Sequence, residues 1–197
     1  LGSKKPPIFE FDIPKRSSEV EYLDAVDQWH EVIANAWEST IEHAQLNAVQ
    51  RIKKVSLMIW GDPSLYDSAL RIAERLTPKP SVKVVPGITS IQALASAHKI
   101  PINDVGSSFL VTTGRRLIDE GFPKDYDKVV VMLDGNCSFN SLIRSDFYIW
   151  WGAYLGMPNQ IIFSGNLDDV ADLIVKERKK ARDEHGWIMD TYLIKKC

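Results

Sequence analysis

The sequence predicts an α/β protein with two domains. Apolar runs alternate with helical stripes in the first half, and strand-like runs outnumber helices in the second half. The 197 residues are 45% apolar and 25% charged, a composition typical of globular proteins. This excludes a disordered chain, a fibre and a disulfide-stapled miniprotein. We place the boundary in the polar segment 101–108, which gives domains 1–106 and 107–197.

The N-terminal domain begins with an extended lead-in and a long helix. The lead-in contains three prolines, and an apolar run predicts a short strand at 8–11. Ser18 and Glu21 have the spacing of a capping box, which marks a helix start. From Val26 to Ala44, apolar residues then recur every three or four positions, as they do along one face of a helix.

Two strand-turn-helix units follow. The predicted strands are 55–60 and 82–85, the turns are Gly61-Asp62-Pro63 and Pro86-Gly87, and the helices are 64–76 and 89–98. This order is typical of an α/β layer whose sheet is largely parallel.

The C-terminal domain is predicted to contain a mixed sheet with helices beside it. Its predicted strands are 109–112, 128–133, 147–151, 160–163 and 187–194, and a charged helix at 167–183 precedes the last of them. We interpret the charged run 176–180 as the solvated face of that helix.

The charge, the cysteines and the histidines indicate which kinds of partner, metal site and compartment to expect. The formal charge of −2 gives no overall attraction to nucleic acid or to an anionic membrane. Cys137 and Cys197 lack zinc-site spacing and favour two reduced thiols in a cytoplasmic protein, with one disulfide as the alternative. The four histidines are too scattered to indicate a metal site. The uncharged stretch 147–167 is broken by Pro158 and glycines, so we predict no membrane span.

The two glycine-containing turns are the candidate ligand site. In open α/β sheets, ligands bind beyond the carboxyl ends of the strands. Glycine allows close backbone approach, and free amides at a helix start accept polar groups. Ordinary turns remain an equal alternative, because the chain has no dinucleotide fingerprint, phosphate loop or hydrolase elbow.

Three runs add a family resemblance. Trp60 to Ser68 (WGDPSLYDS), Val84 to Ser90 (VVPGITS) and Ile100 to Asn103 (IPIN) resemble the tetrapyrrole methylases. The resemblance implies two α/β domains with S-adenosylmethionine in the cleft between them, and S-adenosylhomocysteine as product. Members of the family open with a strand and a Gly-x-Gly-x-x-x-Pro loop. Nothing of that kind precedes Lys5, so we expect that strand and loop to be missing from the N-terminal domain.

Four further runs resemble the deacetylating corrinoid branch of that family. They are Thr112 to Leu117 (TTGRRL), Met132 to Gly135 (MLDG), Trp150 to Met157 (WWGAYLGM) and His185 to Tyr192 (HGWIMDTY). The resemblance implies that the substrate is precorrin-5, a macrocycle rich in carboxylates. It also implies that carbon 1 of the ring is methylated while its acetyl group leaves as acetate.

The resemblance also implies the cofactor contacts. They are Trp60, Gly61, Asp62 and Leu65 at the first turn, Thr89 and Ser90 at the second, and Met132, Tyr154 and Gly156 in the C-terminal domain. Backbone amides and hydroxyls suit the polar methionine end of the cofactor, while Leu65 and Met132 offer apolar surface to adenine. For Trp60 and Met132, a purely packing role is the alternative.

Substrate binding and acid–base chemistry have separate candidates. Arg115 and Arg116 follow a strand and a Thr-Thr-Gly turn, and guanidinium groups bind carboxylates in two-pronged geometry. Arg144 is a further candidate, and solvated surface arginines are the alternative. Loss of the acetyl group requires a positioned water and a base. The residues of suitable type are Asp62, Tyr66, Asp134 and His185.

Three other functions stay open at this point. The first is a related corrinoid methylase acting at another ring carbon. The second is a non-catalytic nucleotide- or tetrapyrrole-binding module, and the third is an interaction domain without a small ligand. The resemblance further implies a homodimer.

Overall fold

The computed structural model describes residues 6–16 and 21–197. The helices are α1 Tyr22–Leu46, α2 Ala69–Ala73, α3 Ser90–His98, α4 Gly114–Glu120 and α5 Leu167–His185. The strands are β1 Leu110–Thr113, β2 Lys128–Met132, β3 Phe147–Ala153, β4 Ile161–Asn166 and β5 Asp190–Lys196.

The chain divides into two compact units, Leu1–Gly87 and Ile88–Cys197. The division therefore lies earlier than the segment 101–108, where the sequence suggested it. The reason is that α3 packs on the sheet of the second unit. The Leu94 side chain of α3 lies so close to Gly152 on β3 that a Cβ there would be 3.1 Å from it.

The first unit is organised around α1, which confirms the helix predicted from its apolar stripe. Ile33 and Ala34 of α1 and Ile72 of α2 are buried together. The helix begins after Glu21, whose carboxylate accepts a hydrogen bond from the Leu23 amide at 2.8 Å. The predicted cap Ser18 lies outside the described residues.

Three strands predicted in the first unit are not formed. Residues 8–11, 55–60 and 82–85 carry no strand pairing in the part of the chain that the structure describes. A strand is stabilised by ladder hydrogen bonds and by side chains on its neighbours, and no described residues supply them here. The side chains stay in solvent as a result: Met58 is 84% exposed and Val85 is 76% exposed.

The helix predicted at 64–76 is shortened to α2. Asp62 accepts hydrogen bonds from the amide and hydroxyl of Ser64, and Asp67 accepts one from the Ala69 amide at 2.6 Å. Such local bonds from aspartate offer the backbone an alternative to the helix and delay its start.

The second unit contains the predicted mixed sheet. Its strand order is β1-β2-β5-β3-β4; β1 and β2 are parallel, and β5 is antiparallel to both of its neighbours. All five strands lie near their predicted positions. The short helix α4 was not predicted, because its seven residues are too few to show a helical period.

The sheet direction defines one functional edge. Since β2 and β3 both run antiparallel to β5, they point the same way, and β1 runs with them. The carboxyl ends of β1, β2 and β3 therefore share an edge with the start of β5. Open α/β sheets bind ligands at such an edge. Within the described ranges, no helix has the length and apolarity needed to cross a membrane.

Candidate active site

The two glycine-containing turns of the first unit meet each other. A methyl group placed on Gly87 would lie 2.1 Å from the carbonyl oxygen of Gly61, so only glycine fits at Gly87. Gly61 itself has a φ of 85°, a conformation that favours glycine. The turns lie together as the sequence suggested, even though the strands expected to carry them are not formed.

Asp62 joins the two turns. Its Oδ2 accepts a hydrogen bond from the Gly87 amide at 2.8 Å, while its Oδ1 accepts from the Ser64 amide and hydroxyl. These bonds, the Ser64 hydroxyl first and the Gly87 amide next, lower the pKa of Asp62. The carboxylate is thus ionised at neutral pH, and its oxygens are occupied by two backbone amides and the Ser64 hydroxyl. This placement favours an organising role over proton transfer.

The remaining residues of the first turn flank this junction. Trp60 is 66% exposed, so its indole is not part of a core. The Leu65 side chain is half-buried, and its amide donates to the Asp62 carbonyl at 3.2 Å. Tyr66 is exposed and has a φ of 51°, which is uncommon for a residue with a side chain.

Thr89 and Ser90 form the start of α3. Thr89 is the N-cap and exchanges bonds with Gln92 in a capping box, so its hydroxyl is occupied. The Ser90 hydroxyl is buried and has no hydrogen-bond partner among the described residues. Buried polar groups without partners are rare in proteins and need an explanation, and a bound polar ligand is one.

Helix α3 runs in a direction that places its N-terminal end near the functional edge of the sheet. Leu94 lies against Gly152, whereas His98, one turn later, contacts the Trp151 carbonyl with its Nε2 at 3.0 Å. Moving toward the start of α3 therefore moves toward the carboxyl end of β3.

Met132 and Tyr154 lie at that edge. Met132 ends β2 and is paired with Thr113 of β1. Tyr154 follows β3 with a φ of 49°; it is buried, and its hydroxyl donates to the Trp187 carbonyl at 2.7 Å. Its side chain therefore lies in the protein interior, its amide donates to the Met189 carbonyl at 3.1 Å, and its carbonyl accepts from the Met157 amide at 2.9 Å. Gly156 is exposed, and its amide donates to Gln160.

Arg115 and Arg116 are exposed at the start of α4, directly after β1. Thr113 caps this helix by accepting a bond from the Arg116 amide, and the Arg116 guanidinium contacts Glu120 at 2.9 and 3.0 Å. Both arginines thus lie at the functional edge. Arg144 lies elsewhere, in a 3₁₀ turn before β3, where it contacts Asp172 and Asn140.

The catalytic candidates Asp134 and His185 differ in exposure. Asp134 is buried directly after β2, and four donors occupy its carboxylate. His185 is exposed at the end of α5, with its ring edge-on to Tyr154 at 5.4 Å. Neither position brings a free base to the edge of the sheet.

Sequence reasoning missed one buried residue, Arg178. The run 176–180 was predicted to be a solvated helix face, but Arg178 is 8% exposed. It continues the buried stripe of α5 at the spacing Leu167, Ala171, Ile174, Arg178, Ala181. That periodicity was the signal in the sequence that could have revealed it.

Comparison with known proteins defines the class of this protein. The profile of the tetrapyrrole (corrin/porphyrin) methylases matches residues 5–171, and the chain belongs to that family.

Two relatives within the family are similar to this chain over most of its length. The chain is 43% identical over 192 residues to a precorrin-6A synthase (deacetylating) from a Sinorhizobium species, an alignment covering 95% of this chain and 72% of the relative. The crystal structure of a cobalamin synthesis related protein (CobF) from Corynebacterium diphtheriae is 39% identical. It superimposes with a TM-score of 0.75 over 88% of this chain and 72% of that one.

A more distant structure shares the fold. The uroporphyrin-III C-methyltransferase of Thermus thermophilus, solved with S-adenosylhomocysteine, has a TM-score of 0.51 at 15% identity. The match covers 86% of this chain and 72% of that one.

Proposed function

We propose that the chain is an S-adenosylmethionine-dependent methyltransferase of cobalamin biosynthesis that converts precorrin-5 to precorrin-6A with release of acetate. The observation that carries the proposal is the 43% identity, over nearly the whole chain, to a precorrin-6A synthase of the deacetylating type. The two arginines at the functional edge support it, because guanidinium groups bind carboxylates such as those of precorrin-5.

The residues of the candidate site fit S-adenosylmethionine. At the Gly61–Gly87 junction the two backbone segments lie so close together that no side chain could stand between them. The Ser90 hydroxyl, which has no partner among the described residues, offers a donor to a polar group. Met132 gives a polarisable apolar surface at the same sheet edge as Tyr154. Only Ile88 separates Gly87 from Thr89 in the sequence, so the contacts proposed at Thr89 and Ser90 follow the Gly61–Gly87 junction directly along the chain. The predicted cofactor contacts are proposed on these grounds.

Bound S-adenosylmethionine would supply an electrophilic methyl group. The task of the chain is then to align the ring carbon with it, because orientation lowers the barrier of a displacement more than acid–base groups do. Arg115 and Arg116 would hold carboxylate arms of the macrocycle in two-pronged contacts. Removal of the acetyl group would consume one water, leave the electron pair of the broken carbon–carbon bond on the ring to accept the methyl group, and yield acetate, with two protons passing to solvent.

The base that activates this water stays unassigned. Asp62 and Asp134 have their oxygens occupied by donors of the chain itself. Tyr66 and His185 are exposed and remain proposals for the role. We also propose a cytoplasmic homodimer, in keeping with the family resemblance.

One experiment separates the alternatives. The purified protein is titrated with S-adenosylhomocysteine by calorimetry and then incubated with methyl-labelled S-adenosylmethionine and precorrin-5. We expect binding, labelled product and one acetate per methyl group. Labelled product without acetate would indicate a methylase acting at another ring carbon. Binding without transfer would indicate a non-catalytic module, and absence of binding would refute the proposal.

A further inference from the structure

A network of buried polar groups lies beneath the functional edge of the second unit. At its centre the carboxylate of Asp134 accepts four hydrogen bonds. Oδ1 accepts from the Asn136 amide at 2.9 Å and the Ser138 hydroxyl at 2.8 Å. Oδ2 accepts from the Ser138 amide and the Tyr192 hydroxyl, both at 2.6 Å. The acceptor positions of this carboxylate are thus filled from within the chain.

Arg178 connects this turn to two strands. Its Nε and one terminal nitrogen contact both oxygens of Asp190 at 2.9 and 3.1 Å, and the same terminal nitrogen donates to the Asp134 carbonyl at 2.8 Å. Asp190 also accepts from the Trp151 indole at 2.9 Å. The network therefore joins α5, the end of β3, the start of β5 and the turn after β2.

The burial of these groups is deep. The side chains of Arg178 and Asp190 are 10% and 4% exposed. Burial, reinforced by the adjacent Asp134 carboxylate, raises the pKa of Tyr192 well above its ordinary value, so its hydroxyl stays a donor. A buried ion pair contributes little stability beyond what apolar packing would give. What the network provides over such packing is a defined direction for each group that it holds.

The network adjoins two parts of the candidate site. Met132 immediately precedes the turn, and Leu133 within it has a φ of 53° and is exposed. A Cβ on Gly114 would lie 2.5 Å from the Asp134 carboxylate, so the start of α4, which carries Arg115, packs against the same aspartate. A left-handed non-glycine residue persists only where surrounding contacts determine it.

We propose that Asp134, Arg178, Asp190 and Tyr192 are positioning residues that fix the turn after β2, so that Met132 and the adjoining backbone are preorganised for the cofactor. This inference rests on the proposed function. It assigns Asp134 a positioning role in place of the acid–base role that its residue type suggested.

The first test needs no ligand. Tyr192→Phe removes one donor to Asp134 and keeps the ring, whereas Ile174→Val weakens the core of α5 without touching the network. Amide exchange measured by NMR should accelerate at least about fivefold at Asn136 and Ser138 in Tyr192→Phe, and less than twofold in Ile174→Val. Arg178→Lys, which keeps the charge but loses the fork, should act like Tyr192→Phe. Equal exchange in Tyr192→Phe and Ile174→Val would overturn the inference.

The second test measures S-adenosylhomocysteine affinity by calorimetry in the same proteins. We expect Tyr192→Phe to weaken binding about five- to tenfold and Ile174→Val to leave it within twofold of the unmodified protein. Faster exchange with unchanged affinity would mean that the turn is held but does not position the cofactor, which overturns the inference while the proposed function stands. If the unmodified protein itself fails to bind, the proposed function fails as well, and the two failures are thereby distinguished.

Discussion

Substitution of Gly87 by alanine tests the junction of the two turns directly. The added methyl carbon would lie 2.1 Å from the Gly61 carbonyl oxygen, whereas ordinary contacts begin near 3.4 Å. The neighbour is backbone, which cannot rotate away as a side chain can. The two turns must therefore move apart by about 1.3 Å, the difference between those distances. The bond from the Gly87 amide to Asp62, now 2.8 Å, would be stretched or lost.

A shift of this size has a defined functional cost. A misplacement of about 1 Å in a positioning group costs roughly 100-fold in rate. We expect the affinity for S-adenosylhomocysteine to fall at least about tenfold, which corresponds to about 1.4 kcal/mol. The helices and the sheet of the second unit do not depend on this contact, so far-ultraviolet circular dichroism should remain unchanged.

The matched control is Gly165→Ala on β4. There a methyl group would also be crowded, at 2.7 Å from Val170, but its neighbour is a side chain of the second unit that belongs to neither turn. We expect Gly165→Ala to lower the melting temperature and to preserve binding. If Gly87→Ala binds S-adenosylhomocysteine within twofold of the unmodified protein, the two turns do not seat the cofactor and the reasoning fails.

Three further outcomes are expected. Arg115→Ala and Arg116→Ala should each raise the KM for the corrinoid substrate about tenfold and leave S-adenosylhomocysteine affinity within twofold; unchanged kinetics in both would remove them from the site. Burial and the nearby arginines lower the pKa of His30 below 6.5, so its stabilising contribution is complete above pH 6.5 and is lost as the pH falls below that value. The urea concentration at the midpoint of unfolding should decrease when the pH is lowered from 7.5 to 5.5, and it should decrease less in His30→Gln. An equal decrease in both proteins would contradict this. Burial raises the pKa of Cys137 to about 11, whereas Cys197 is exposed, so a thiol reagent at pH 8 should modify one thiol in the folded protein and two in urea.

Much of the second unit could be predicted from residue patterns. Its five strands are short apolar runs bounded by turn residues, and cross-strand pairs such as Val131 with Tyr192 bury both members. Where a strand has neighbours on both sides, the local pattern and the tertiary environment agree. The first unit shows the opposite case, because runs with the same apolar character at 55–60 and 82–85 have no paired neighbours among the described residues.

The candidate site likewise has features that the sequence predicted and features that it could not predict. The sequence indicated which turns are candidates for a ligand site, since glycine beside aspartate or proline after an apolar run is a local signal. It could not predict that the Asp62 carboxylate is occupied by the Gly87 amide, or that Tyr154 directs its hydroxyl inward to the Trp187 carbonyl. Those facts depend on residues 25 and 33 positions away along the chain.

By itself, the sequence determined the helices with a full apolar stripe, the strands of the second unit and the family to which the chain belongs. Tertiary structure alone decided which apolar runs become strands and which charged residues lie inside. Arg178 shows the reason. Its charge is typical of a helix surface, but its burial depends on Asp190 and the Asp134 carbonyl, which only folding brings within hydrogen-bonding distance. Local patterns report periodicity and turn chemistry, whereas pairing and desolvation depend on partners distant in the chain.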